Sequence, residues 1–124
     1  MSNGKYKDKL SPEAYQVCRL AATERPFTGK YNDHWLDGTY LCACCEQPLF
    51  RSVSKFDSGC GWPSFFKAIE HKVSYLEDLS HGMQRIEIQC AACKSHLGHV
   101  FDDGPEPTGK RYCVNSLSLL FEPT

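Results

Sequence analysis

The sequence predicts a mainly β protein with one short helix near its N-terminus. From Gly38 onward, short segments of alternating or β-branched residues are separated by glycine-containing turns, which is typical of antiparallel strands. Helical periodicity is confined to the residues before Pro26. The chain has 124 residues, a common size for one domain, so we expect a single core.

The helix is expected over about residues 11–23. Ser11 suits the N-cap, Pro12 suits the first helical position, and Glu13 lies beside the positive end of the helix dipole. Residues 1–10 are polar and lysine-rich, and we expect a flexible arm there followed by a single domain over residues 11–124. Apolar residues recur at helical spacing and form one stripe, namely Leu10, Ala14, Val17 and Ala21.

Six strands are expected in the remainder of the chain. The last of them is long, and we expect it to be bulged or bent. Turn sequences such as Asp-Ser-Gly at residues 57–59 separate the strands, so antiparallel neighbours are favoured. The six are Thr39–Cys42, Pro48–Ser52, Lys72–Leu76, Met83–Gln89, His99–Phe101 and Lys110–Phe121.

The composition excludes several classes of protein. Hydrophobic residues make up 41% of the chain, which is too many for a disordered protein. A net charge of −1 and a pI near 6.5 argue against nucleic-acid or anionic-membrane partners. No apolar run approaches the roughly 18 residues of a transmembrane helix, and no apolar stretch follows the N-terminal lysines as in a signal peptide. We therefore expect a cytoplasmic protein, by default a monomer.

Eight cysteines are the most informative feature of the composition. In a secreted domain they would suggest four disulfides, whereas in a reducing cytosol metal binding and catalysis are favoured. They stand at positions 18, 42, 44, 45, 60, 90, 93 and 113.

Two Cys-x-x-Cys pairs predict a structural zinc site. Cys42 and Cys45 form the first pair, Cys90 and Cys93 form the second, and 44 residues separate the pairs. Zinc prefers four ligands at tetrahedral angles, and each turn supplies two thiolates from one bend. Four protein thiolates leave no open coordination position, so the metal should be structural.

Other interpretations of the same cysteine spacing remain open. Two disulfides or two redox-active pairs would also explain it. Cys44 allows a Cys42/Cys44 pairing in the first motif, although the two-residue spacer favours Cys45. Zinc is favoured because paired motifs of this kind are typical of metal sites in intracellular proteins.

Cys60 and Cys113 are candidate reactive cysteines. Cys60 stands between two glycines, so its backbone is adaptable and its side chain could be exposed. If the segment around Cys113 is extended, Arg111 and Asn115 share its face, and a guanidinium beside a thiol favours the thiolate. A buried strand cysteine is the alternative for Cys113.

His96 and His99 follow the second cysteine pair closely. Histidine titrates near neutral pH, so either residue could be a proton donor. Additional metal ligation is disfavoured because four thiolates already complete the zinc site. Surface or capping roles remain the alternative for both.

Three stretches of the chain resemble the signatures of type B methionine sulfoxide reductases. They are residues 55–65 (KFDSGCGWPSF), the run from Cys90-x-x-Cys93 through HLGHVF-x-DGP to residue 105, and residues 111–116 (RYCVNS). The resemblance extends from about Leu10 to Phe121. It implies antiparallel coiled sheets in a distorted barrel-like domain with a structural zinc, and reduction of the R epimer of methionine sulfoxide in proteins or peptides.

The resemblance also implies individual roles. Cys113 matches the nucleophile and Cys60 the resolving cysteine. Trp62 matches the aromatic wall that receives the substrate methyl group, and His99 matches the proton donor to the sulfoxide oxygen. The polar pocket and its substrate-binding surroundings are expected to include His96, Asp103, Arg111 and Asn115.

The expected reaction converts Cys113 to a sulfenic acid, which Cys60 turns into a disulfide that thioredoxin reduces. One Zn²⁺ per chain is expected. The alternative interpretation is a non-catalytic zinc-binding interaction module, which leaves the motifs around Cys60 and Cys113 unexplained. A zinc hydrolase or deaminase would need three protein ligands plus water.

Overall fold

The structure, a computed structural model, describes residues 9–124. The predicted N-terminal arm lies outside the described residues except for Lys9 and Leu10, and Leu10 packs against the core. The regular elements are α1 (Pro12–Leu20), β1 (Gly38–Cys42), β2 (Pro48–Arg51), β3 (Lys55–Phe56), β4 (Ser64–Phe65), β5 (Val73–Asp78), β6 (Arg85–Cys90), β7 (His96–Phe101), β8 (Arg111–Val114) and β9 (Leu119–Pro123).

The α-helix α1 begins as predicted and ends earlier. The Ser11 hydroxyl accepts a hydrogen bond from the Ala14 N–H at 3.1 Å, and Pro12 occupies the first turn. Ala21 adopts a left-handed conformation with φ of 59°, which stops the helix at Leu20 instead of residue 23. Within residues 9–124 no helix is long and apolar enough to cross a membrane.

Among the strands of residues 9–124, all pairings are antiparallel and form two sheets. The smaller sheet has the order β2-β1-β9, and the larger has the order β3-β4-β8-β7-β6-β5. The predicted mainly β, antiparallel class with one short helix is therefore confirmed. Both sheets keep free edges over residues 9–124, so the barrel-like arrangement is not a closed barrel.

The predicted long strand Lys110–Phe121 is wrong in its continuity. β8 ends at Val114, a 3₁₀ turn follows over Ser116–Ser118, and β9 enters the other sheet. The reason lies in buried polar side chains at the break. The Asn115 amide donates to the Leu97 carbonyl at 3.0 Å, and the Ser118 hydroxyl donates to the His96 carbonyl at 2.8 Å.

Two short strands and one strand start were not predicted. β3 and β4 have two residues each, too few for a periodic pattern to be visible. β7 begins at His96, three residues before the predicted start at His99, because His96 pairs with Gln89 of β6.

Aromatic packing fixes β4 in the core. Tyr40, Phe50 and Phe65 are fully buried, and the Phe50 and Phe65 rings stack with centroids 4.4 Å apart. Offset or edge-to-face aromatic pairs add to the free energy gained by burying their area. Since β4 pairs with β8, this core also positions Cys113 on β8.

Candidate active site and metal centre

Four cysteine sulfurs converge between the two sheets. Cys42 ends β1 and Cys90 ends β6, and each is followed by a turn that carries the second cysteine of its pair. The Sγ atoms of Cys42, Cys45, Cys90 and Cys93 all lie within 4.8 Å of one another. The four side chains are therefore positioned to bind one metal ion.

The two cysteine turns share the same backbone geometry. The Glu46 N–H donates to the Cys42 carbonyl at 2.8 Å, and the Lys94 N–H donates to the Cys90 carbonyl at 2.9 Å. Glu46 and Lys94 both adopt left-handed conformations, with φ of 65° and 66°. This repeated turn directs both cysteines of a pair towards one point, as each half of a tetrahedral site requires.

The sulfur spacing suits a tetrahedral thiolate site. Cys42 Sγ lies 3.5 Å from Cys93 Sγ, and Cys45 Sγ lies 3.5 Å from Cys90 Sγ. Zinc–sulfur bonds of about 2.3 Å at tetrahedral angles place sulfurs roughly 3.8 Å apart. Gln47 Nε2 donates to Cys90 Sγ at 3.1 Å, a contact of the kind that orients a thiolate ligand.

Cys44 and Cys18 lie outside this group of four. Both are almost fully buried, with 1% and 2% of their surface exposed. Cys18 Sγ donates to the Leu117 carbonyl at 3.5 Å, and Arg19 Nη1 lies 4.0 Å from Cys44 Sγ. The sulfur geometry therefore selects Cys45 over Cys44 in the first motif.

A second group of side chains lines a cavity of about 280 Å³ on the larger sheet. Strands β6, β7 and β8 and the loop before β4 contribute to it. Its walls are formed by Thr23, Cys60, Trp62, Arg85, Gly98, His99, Phe101, Arg111, Cys113 and Asn115.

The strand register brings Cys113 into the wall of this cavity, next to His99. Cys113 on β8 stands opposite Ser64 on β4 and opposite His99 on β7. Alternation along β8 buries Tyr112 and Val114, so Cys113 points to the other face. The prediction that Arg111, Cys113 and Asn115 share one face agrees with their common place in the cavity wall.

Cys60 and Cys113 face each other as free thiols. Their Sγ atoms lie 3.4 Å apart, and neither is bonded to another cysteine. The Ser58 hydroxyl donates to Cys60 Sγ at 3.1 Å, and the Ser64 hydroxyl lies 3.3 Å from it. A disulfide between the two would need the sulfurs to approach by about 1.4 Å, since the S–S bond is about 2.0 Å long.

The contact between the two sulfurs shifts the pKa values of the two cysteines in opposite directions. Hydrogen bonding from Cys113 lowers the pKa of Cys60 to about 4, against the effect of burial and with help from the Ser58 and Ser64 hydroxyls. The same contact with Cys60, together with burial, raises the pKa of Cys113, and Arg111 opposes that rise. Cys60 is therefore the cysteine of the pair that ionises more readily.

His99 is held by an ionised carboxylate. Its Nε2 lies 2.7 Å from Oδ2 of Asp78 on β5. Hydrogen bonds from Ser80 and then from His99 lower the pKa of Asp78, so the carboxylate accepts and Nε2–H donates. Burial lowers the pKa of His99, and the Asp78 contact opposes this effect.

Two residues that were predicted to line the pocket, His96 and Asp103, lie outside the cavity wall. His96 is buried, its Nδ1 lies 2.7 Å from Glu87 Oε2, and its ring centroid is 5.8 Å from that of His99. Asp103 is exposed and forms a bidentate pair with Arg111, at 2.8 and 3.1 Å. Neither is among the described residues that line the cavity.

A segment after α1 anchors two further cavity residues. Trp62 Nε1 donates to the Glu24 carbonyl at 3.0 Å, and the Glu24 N–H donates to Asn115 Oδ1 at 3.1 Å. The Asn115 amide also donates to the Leu97 carbonyl, so both ends of its side chain are fixed. The cavity wall thus depends on residues from the N-terminal segment as well as from the sheet.

Sequence reasoning missed Asp78, Arg85 and Glu24. Arg85 lines the cavity and donates to Asp78 Oδ2 at 3.3 Å, as expected for residues paired across a hairpin. The alternation Arg85-Ile86-Glu87-Ile88 carried a signal, because it places two charged side chains on one face of β6. No local pattern marked Glu24.

Comparison with known proteins agrees with the motif resemblance. A family model described as the SelR domain matches residues 10–123. A protein of Alteromonas mediterranea named peptide methionine sulfoxide reductase MsrB is 62% identical over 118 residues, which cover 94% of this chain and 83% of the relative. A protein of Pseudomonas putida with the same name is 60% identical over 119 residues, which cover 95% and 90%. The family match extends over nearly the whole chain, and this chain therefore belongs to the SelR domain family.

Proposed function

We propose that this protein is a peptide methionine sulfoxide reductase that returns the R epimer of methionine sulfoxide in proteins or peptides to methionine. The observation that carries the proposal is the Cys60–Cys113 pair, 3.4 Å apart in a cavity walled by Trp62 and His99. Reduction of a sulfoxide requires a thiolate at sulfur and a proton at oxygen, and this cavity supplies both kinds of group. The names of the relatives agree with this reaction.

Substrate binding uses the apolar and cationic walls of the cavity. The methyl group of the sulfoxide side chain packs against the Trp62 ring, whose indole N–H is fixed by the Glu24 carbonyl. The sulfoxide oxygen points towards His99. Arg111, oriented by its bidentate contact with Asp103, contributes positive charge beside the reacting sulfur.

The first chemical step starts with a proton transfer within the cysteine pair. Cys113 passes its proton to Cys60 as it attacks the substrate and becomes the nucleophile. Arg111 favours the Cys113 thiolate, whereas burial and the contact with Cys60 oppose it. Cys113 Sγ attacks the sulfoxide sulfur while His99 protonates the oxygen, directly or through water. The protonated oxygen then moves from the substrate sulfur to Cys113 Sγ, so the substrate S–O bond breaks and a Cys113 S–O bond forms. The sulfur–sulfur bond of the adduct breaks with its electron pair going to the substrate sulfur, so methionine leaves two electrons richer and Cys113 becomes a sulfenic acid.

The second step regenerates the protein. The Cys60 thiol attacks the Cys113 sulfenic acid, water leaves, and a Cys60–Cys113 disulfide forms. An external dithiol then reduces this disulfide by thiol–disulfide exchange, and we propose thioredoxin for that role. The 3.4 Å sulfur–sulfur distance supports this route because only a small approach is needed.

We propose Zn²⁺ as the metal of the four-cysteine site. Four thiolates with tetrahedral spacing suit Zn²⁺, and the closed site leaves the ion a structural role in which it stabilises the fold. We further propose one zinc-stabilised domain over residues 11–124, a monomer, and a cytoplasmic location. No disulfide joins any two of the eight cysteines, which agrees with a reducing compartment.

Reduction of resolved sulfoxide epimers tests this function. With dithiothreitol, we expect turnover of the R epimer of N-acetyl-methionine sulfoxide methylamide and no turnover of the S epimer. Cys113→Ser should abolish reduction. Cys60→Ser should release one methionine per molecule in a single-turnover assay, because only recycling by thioredoxin requires the disulfide. Absence of turnover with both epimers would favour a non-catalytic zinc-binding module, and no methionine from Cys60→Ser would contradict the assigned roles.

A further inference from the structure

Phe27 is an exposed aromatic residue in a strained conformation. Its side chain is 68% exposed, and its φ is +66°. An aromatic residue rarely adopts the left-handed region, and such strain persists only where surrounding contacts enforce it. The enforcing contact is a hydrogen bond from the Phe27 N–H to the Gly61 carbonyl at 2.7 Å.

The Phe27 ring lies against the loop that carries Cys60. A Cβ placed on Gly61 would fall 3.1 Å from two carbons of the Phe27 ring. Gly61 itself has a φ of +96° and stands between Cys60 and Trp62, both of which line the cavity. Since consecutive Cα atoms are about 3.8 Å apart, the ring sits one residue from the cavity wall.

The segment that holds Phe27 is anchored on both sides. Glu24 is tied to Trp62 and to Asn115 through its backbone, and the Thr28 hydroxyl donates to the Arg25 carbonyl at 2.6 Å. The backbone at Phe27 is therefore fixed, and most of the side chain is exposed beside the loop that carries Cys60 and Trp62. A preorganised aromatic ring can cover an apolar side chain of a ligand without the cost of ordering a flexible residue.

We propose that Phe27 is a specificity-determining residue that packs against an apolar side chain next to the methionine sulfoxide of a peptide substrate. The proposal rests on the proposed function. When the sulfoxide enters the cavity, the peptide continues over its rim, and neighbouring residues are only about 3.3–3.6 Å apart along an extended chain. The ring at the rim then covers the neighbouring side chain and removes its apolar surface from water.

Peptide kinetics with dithiothreitol as reductant test this subsite. The substrates are blocked peptides in which methionine sulfoxide is flanked by leucine or by glycine, and the blocked single residue is a third substrate. The wild-type protein should prefer the leucine peptide roughly fivefold in kcat/KM, the effect of partly burying one aliphatic side chain. In Phe27→Asn, the KM for the leucine peptide should rise to that for the glycine peptide while kcat stays unchanged, so the preference is lost. The reason is that the contact stabilises the ground state and the transition state equally.

Matched variants distinguish a loss of substrate preference from a loss of folded protein. Asn tolerates the left-handed conformation, so Phe27→Asn removes the ring without adding strain. Phe27→Leu keeps an apolar side chain and should retain most of the preference. Val53→Ala is the control, since Val53 is 78% exposed and lies outside the cavity wall. All variants should reduce the blocked single residue at the wild-type rate.

Several outcomes would overturn the subsite. One is that the wild-type protein shows no preference between the two peptides. Another is that Phe27→Asn lowers kcat/KM by the same factor for all three substrates. An effect seen only when thioredoxin replaces dithiothreitol would assign the ring to reductant binding instead. No turnover of any sulfoxide by the wild-type protein would remove the proposed function itself, a result distinct from these.

Discussion

At the scale of single residues, the surroundings of a cysteine decide what it does. The sulfurs of four cysteines converge within 4.8 Å, and two more stand 3.4 Å apart beside a cavity. Cys18 and Cys44 are buried and belong to neither group. A thiolate is favoured by positive charge and hydrogen-bond donors, which Arg111, Ser58 and Ser64 provide around the Cys60–Cys113 pair.

His99 illustrates the same dependence for proton transfer. We predict that His99→Asn lowers the rate of methionine release by roughly 10²–10⁴, the usual contribution of a positioned general acid, with fold and metal content retained. Rapid-quench measurement of a single turnover isolates this step. His71→Asn is the control, because the His71 side chain is 87% exposed.

The pH dependence of that step should identify His99 as the acid. Burial lowers the pKa of His99 below its usual 6.5, so the protonated form is lost as the pH rises through that lowered value. The wild-type rate of methionine release should therefore fall as the pH rises through a pKa below 6.5, and His99→Asn should lack this decline. A near-wild-type rate in His99→Asn would demote His99 to a structural residue.

At the scale of secondary-structure elements, the pairing of β7 with β8 positions the reacting groups. This register sets His99 opposite Cys113, and Gly98 opposite Val114. A Cβ on Gly98 would overlap the Cys113 carbonyl oxygen and approach Val114 Cα to 3.2 Å. Gly98 is therefore required for the close approach of the two strands.

We predict that Gly98→Ala damages both stability and activity. Overpacking against backbone should cost roughly 1–3 kcal/mol of unfolding free energy. Separation of β7 from β8 should also lower the single-turnover rate by about 10²-fold, because catalysis depends on sub-ångström positioning. Denaturant unfolding and rapid-quench assays measure the two effects.

Gly109→Ala is the control for Gly98→Ala. Gly109 has a φ of +73° and open space around its Cα, so alanine there adds backbone strain without overlap. It should cost about 1 kcal/mol and leave the single-turnover rate unchanged. A Gly98→Ala protein with wild-type stability and rate would show that the two strands can separate without consequence.

At the scale of the whole molecule, the cysteine site links the two sheets. Cys42 belongs to β1 of the three-stranded sheet, and Cys90 belongs to β6 of the six-stranded sheet. A metal ion held by both pairs joins elements 44 residues apart in sequence. Because such a site does not exist in the unfolded chain, the free energy of metal binding becomes free energy of folding.

We predict that the pure protein contains one zinc per chain and that Cys90→Ser releases it and lowers the unfolding temperature. Cys44→Ser is the matched control, since Cys44 is equally buried but lies outside the group of four. It should keep the metal. Elemental analysis and thermal unfolding provide the readouts. Wild-type protein without metal, or Cys90→Ser with unchanged metal content, would contradict the prediction.

Much of this protein is determined locally by its sequence. The Ser11-Pro12 start of α1, the alternating strands and the two Cys-x-x-Cys turns were predictable, because caps, period-two patterns and short turns depend on neighbouring residues. The motifs around Cys60 and Cys113 marked the family in the same way, since they are continuous stretches of chain.

The tertiary structure decided the remainder. Only packing shows that the chain breaks at Asn115 to enter a second sheet. Only packing shows that Asp78 contacts His99, and that Asp103, itself outside the cavity wall, contacts Arg111. These pairings join β5 to β7 and the β7–β8 loop to β8, and a period-two pattern gives the face of a residue but not its neighbour strand. Which strands lie side by side is set by burial and hydrogen bonding across the whole fold, so the partners of His99 and Arg111 are visible only in the tertiary structure.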